Sequence, residues 1–91
     1  MKNDGFHDLE YKFGDDDALN KRLSFILNEA CHVFRMHADG NWKAEYKPHY
    51  AGMLAKELKD RPSLIRKLLK LGDPVVSNIT YAAIELNKAD N

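Results

Sequence analysis

The stretch from Leu19 to His37 constrains the fold most, because it reads as a helix with apolar residues on two sides rather than one. Leu19, Leu23, Ile26, Leu27, Ala30, Val33 and Phe34 recur at helical spacing and form the stripe of a core-facing helix. Phe25, His32 and Met36 fall on nearly the opposite side, around Glu29. One apolar side builds the chain's own core, and the other needs different cover. With 91 residues the chain is near the small end of what buries a self-sufficient core, so that cover is expected to be another subunit or a partner protein. The expected contact surface is Phe25, His32 and Met36, with Tyr11 and Phe13 of the N-terminal segment, since aromatic and methionine side chains anchor such interfaces.

Residues 6–13 alternate His7, Leu9, Tyr11 and Phe13 against Asp8, Glu10 and Lys12, a period-two pattern suited to an extended arm. A short helix through Phe6, Leu9 and Phe13 is the competing reading, and it leaves Tyr11 off the stripe. No convincing second strand follows. An extended arm must therefore lie across the helices or pair with another chain, because its backbone groups need partners.

Gly14 ends the arm, and Asp15, Asp16 and Asp17 offer an N-cap and favourable charge at the start of the long helix. Asp39-Gly40-Asn41 is expected to close that helix with a residue able to take positive φ. A loop carrying Trp42 and Tyr46 leads to Pro48, where a second helix begins with Tyr50, Met53, Leu54 and Leu58 on one face. Asp60-Arg61-Pro62 ends it, and a third helix spans Ser63 to Leu71. Gly72 stops the third helix, and Asp73-Pro74 starts a fourth that reaches about Lys88, burying Val75, Val76, Ile79, Ala82, Ala83 and Leu86. Tyr81 and Ile84 lie off that stripe as a second, smaller candidate contact. The segment Leu64 to Leu86, with LLKLGDPVVSNITYAAIEL at its centre, resembles a single HEAT-type helical hairpin. That resemblance implies an antiparallel helix pair and no solenoid function, because stacked solenoids need at least three such units.

The expectation is an all-α fold: a small bundle of about four helices with one long N-terminal helix, preceded by an extended or short helical arm. Residues 1–14 form the arm and 15–91 the helical core of a single domain. The expected core is Leu23, Ile26, Leu27, Val33, Phe34, Leu54, Leu58, Leu68, Ile79, Ala83 and Leu86.

Formal charge is zero, so the chain as a whole gives no electrostatic case for nucleic acid or membrane. Its distribution is uneven, with a net of −4 over residues 1–18 and +5 over residues 41–72. The alternative reading is therefore a nucleic-acid or nucleotide-phosphate binder using Trp42, Lys56, Lys59, Arg61, Arg66, Lys67 and Lys70. Against it, the helix from Pro74 carries almost no charge where a recognition helix would need it.

Catalytic, cofactor and metal motifs are not found. Cys31 and His32 are neighbours on a helix and do not face each other, so the imidazole has no geometry for activating the thiol. His32 and His37 diverge, His49 comes from another helix, and one thiolate is too few for an ordinary zinc set. The aspartates at 15–17 read as a cap rather than a cation site. A sole cysteine and the lack of a long apolar run or a signal-peptide core point to a cytoplasmic protein with no membrane partner. The function expected from these features is a small non-enzymatic interaction protein, an adaptor, inhibitor or regulatory subunit, acting by stoichiometric binding as a homo-oligomer or on a protein partner.

Overall fold

A computed structural model describes residues 8–37 and 40–89. In the described residues, four α-helices follow the extended segment 8–13: α1 (Asp17–His37), α2 (Lys47–Leu58), α3 (Pro62–Lys70) and α4 (Pro74–Ala89). Among the described residues there is no β-strand, and α1 is the longest helix, as the apolar periodicity requires. The fold is a small all-α bundle.

Each boundary has a local cause. Asp16 caps α1 through its carboxylate, which accepts the Leu19 N–H at 3.1 Å. Asp73 does the same for α4, accepting from Val75 at 2.8 Å and Val76 at 3.2 Å, with Pro74 at the first helical position where no N–H is needed. Gly72 takes φ +70° after α3, a left-handed conformation that costs glycine little. The turn between α2 and α3 uses Asp60 at φ +63°, and the Arg61 N–H closes it on Leu58 O at 2.9 Å. Gly40 donates to His37 O at 3.1 Å without adopting positive φ. Asp39, expected beside it at the close of α1, lies outside the described residues.

The expected loop before Pro48 is instead a wide helical turn, Trp42–Tyr46, leading directly into α2. It carries Trp42 inward, edge-on to Phe34 at 5.4 Å and stacked on Tyr50 at 6.4 Å.

The core comprises Phe13 of the arm, Leu19, Leu23, Ile26, Leu27 and Ala30 of α1, Trp42 of the turn before α2, Tyr50, Leu54, Ala55 and Leu58 of α2, Leu64 and Leu68 of α3, and Val75, Val76, Ile79 and Ala83 of α4. Three expected core residues are displaced from it. Val33 and Phe34 are half-buried against the core margin, and Leu86 is exposed on a side of α4 that α2 does not cover, although Asn87 beside it bonds to α2. Thr80 is fully buried with its hydroxyl satisfied by Val76 O at 2.7 Å. Helix α4 packs on α2 along its length, and Asn87 fastens their ends by donating to Ala55 O at 3.1 Å. Helices α1 and α3 do not pack on each other. The arm lies between them.

Candidate protein-binding surface

Residues 8–13 are extended, not helical, and a polar row on α1 holds them there. The Leu9 N–H donates to Asn28 Oδ1 at 3.0 Å, and Asn28 Nδ2 returns a bond to Leu9 O at 2.9 Å. Tyr11 N–H donates to Ser24 Oγ at 2.9 Å. Phe13 N–H donates to Asn20 Oδ1 at 2.9 Å, while Asn20 Nδ2 donates to Gly14 O at 3.0 Å. Asn20, Ser24 and Asn28 are spaced four apart, a rise of about 6 Å per step, and alternate residues of a strand advance by about 6.6 Å. A row of side chains on a helix therefore substitutes for a neighbouring strand. Lys67 of α3 donates to Phe13 O from the other side, so the arm joins two helices that otherwise do not meet.

This anchoring redistributes the expected contact residues. Phe13 is 7% exposed and belongs to the core, because the alternation that bonds its backbone to α1 also turns its ring inward. Tyr11 is partly buried, stacked on Phe13 at 5.9 Å, and its hydroxyl pKa is raised by burial, with Cys31 and Asp73 adding to the shift. The N-terminal pair is thus withdrawn from the outer surface by its own fold. His32 is half-buried, with Nε2 3.2 Å from Asp8 Oδ1. Phe25 and Met36 remain outward, at 57% and 63% exposure. Leu9, 56% exposed, lies across a groove from Phe25. The exposed apolar stripe of α1 thus consists chiefly of Phe25 and Met36, with Leu9 beside it.

On the other flank of Phe25, a groove of 510 Å³ runs between α1 and α2, with Ile26 and Met53 among its lining residues. Lys21, Arg22, Lys56 and Glu57 complete the lining. Arg22 is committed there, since Nε and Nη2 hold Glu57 at 2.8 and 3.2 Å and tie α1 to α2. Arg61 adds a second cation to that carboxylate at 3.7 Å and also donates to Glu57 O at 2.9 Å.

The candidate basic face loses members for the same structural reasons. Trp42 is 4% exposed and has no free ring face for a base, a correction to the sequence expectation that follows from the inward turn before α2. Arg61 is spent on Glu57, and Lys67 on the arm. Lys56, Lys59, Arg66 and Lys70 are exposed.

His32, His37, His49 and Cys31 have separate neighbours. His37 stacks on Tyr46 at 4.5 Å, and His49 meets the Tyr50 ring edge-on at 5.0 Å. Among the described residues, no three or more His, Cys, Asp or Glu side chains converge as a metal set. Burial pushes the Cys31 thiol up to about 11, with Asp73 adding to the shift and Arg35 opposing it. A thiol held that far into its protonated form is a poor nucleophile at neutral pH. Among the described residues, no helix is long and apolar enough to cross a membrane.

The polar row at 20, 24 and 28 is the feature that sequence reasoning missed. Its signal was present: three small hydrogen-bonding residues at helical spacing, following a strand-like segment with no strand to join. Compared with known proteins, the chain matches no family model, no curated protein and no solved structure.

Proposed function

We propose that this chain is a non-enzymatic interaction protein, an adaptor, inhibitor or regulatory subunit of the cytoplasm, acting by stoichiometric binding through the exposed stripe of α1. One observation carries the reading. Phe25 and Met36 stay more than half exposed on a helix whose opposite side is almost fully buried, and residues 8–13 lie along the adjacent polar row rather than over them. Large apolar side chains grouped on one helix face mark contact sites more often than isolated exposed leucines do.

A photo-crosslinking residue placed at position 25 or 36 of the full chain in its native cell tests this. Discrete protein adducts are expected at both positions and not at position 59 on the basic side. Absence of any adduct at 25 and 36, with the protein folded and abundant, would remove the reading.

A further inference from the structure

We infer that the occupant of this stripe is a second copy of the chain, with the two α1 helices crossing antiparallel about a two-fold axis at Phe25. The inference rests on the reading of the stripe as a protein-binding surface and names its partner.

Lys21, Phe25 and Glu29 are spaced four apart and form one continuous ridge on the outer side of α1, and all three are exposed. Packing such ridges side by side sets two helices at about −50°, the commonest angle for helix pairs in globular proteins. When a ridge lies beside a reversed copy of itself, the ends exchange. Lys21 then meets Glu29 of the partner subunit, Glu29 meets Lys21 of the partner subunit, and Phe25 lies at the centre beside Phe25 of the partner subunit. The ridge is self-complementary in charge only in this antiparallel sense. A parallel pair would place lysine against lysine and glutamate against glutamate, which is repulsive at both ends.

The surface beside the ridge has the matching shape. Ridges pack into grooves, and the groove flanking Phe25 is lined by the apolar side chains of Ile26 and Met53. Each Phe25 therefore has a receptor in the other copy. Glu29 is suitable for the cross-contact because its hydrogen bond among the described residues, from the Tyr50 hydroxyl, is long at 3.4 Å and engages only Oε1. At this crossing angle the helices diverge away from the axis, so Met36, three turns further along, lies at the periphery of the contact. A single crossed helix pair falls at the small end of specific interfaces, below roughly 1,200 Å², so the association is reversible and concentration-dependent.

Sedimentation equilibrium of the full chain, extended to millimolar concentration, provides the test. The wild-type protein is expected to form dimers, and Phe25→Glu to lose them while its helical circular dichroism stays unchanged; Met36→Glu is expected to retain most of the association. Lys21→Glu and Glu29→Lys each create two like-charge contacts and should weaken the homodimer about tenfold. Mixing these two single variants should restore heterodimers at least as tight as the wild type, because both contacts become opposite in sign again. The double variant Lys21→Glu/Glu29→Lys should recover to within about threefold of wild type. A wild-type chain that stays monomeric throughout overturns the inference, as does a mixture that associates no better than either variant alone. Crosslinks from position 25 to a different protein, with the chain itself monomeric, would overturn the second copy as partner while leaving the binding stripe in place. A lack of adducts at positions 25 and 36 would remove the stripe itself.

Discussion

Asn20 shows how one side chain can determine where a whole segment lies. It is buried, and its amide uses both ends, accepting from Phe13 N–H and donating to Gly14 O. Removing it leaves a buried backbone N–H without a partner, so Asn20→Ala is expected to destabilise the fold by about 2 kcal/mol, measured by urea denaturation. Asn28→Ala, whose bonds to Leu9 are exposed to water, should cost well under half as much. Cys31 is informative for the opposite reason, since it has been taken out of reactive chemistry. Its pKa is raised in the folded state, so the stability it contributes is complete below about pH 9 and is lost as pH rises toward about 11. Stability of the wild type is expected to fall more steeply over that window than that of Cys31→Ala, and alkylation of the native thiol at neutral pH should be much slower than in the denatured chain. Equal alkylation rates in the two states would contradict the burial.

At the scale of elements, the arm behaves as a strand bonded on one edge. Leu9, Tyr11 and Phe13 direct their backbone N–H groups toward α1, and strand alternation directs those of Glu10 and Lys12 the other way. Native-state hydrogen exchange should therefore alternate along the arm, with protection at 9, 11 and 13 and fast exchange at 10 and 12. Proline substitution gives the same pattern a stability readout. Lys12→Pro removes an N–H with no partner among the described residues, whereas Tyr11→Pro removes the bond to Ser24 and a packed ring, so the second should be the more destabilising by about 1–2 kcal/mol. Uniform exchange across residues 9–13 would argue that the arm is not docked in solution.

For the molecule as a whole, tertiary contacts engage part of the basic stretch. Arg22 and Arg61 meet at Glu57, and Lys67 crosses to the arm. What remains of the basic side is a set of exposed lysines and Arg66. Changing Lys56, Lys59 and Lys70 together to glutamine should shift stability by no more than about 1 kcal/mol, a few tenths for each exposed site. The wild-type protein is expected to elute from a polyphosphate or DNA column without a salt-sensitive step. Tight retention that falls steeply with salt, and falls again in the triple variant, would transfer the functional reading from α1 to this side.

Sequence periodicity alone determined the helices, since Leu19 through Phe34 leave no other arrangement that buries their shared stripe, and Asp73-Pro74 marks a helix start by its backbone chemistry. It also identified Phe25 and Met36 as residues outside that stripe. Three assignments needed the tertiary structure. Trp42 reads as a surface aromatic among lysines until the turn before α2 carries it under Phe34. Phe13 reads as a contact residue until Asn20 fixes the register of the arm and turns the ring into the core. Leu86 fits the apolar period of α4 but is exposed even though Asn87, one residue further on, bonds to α2, so it stands on a side of the helix that α2 does not cover. In each case local pattern gives the side of an element, whereas burial depends on what another element places against that side, and contacts between residues far apart in the chain do not appear in local periodicity.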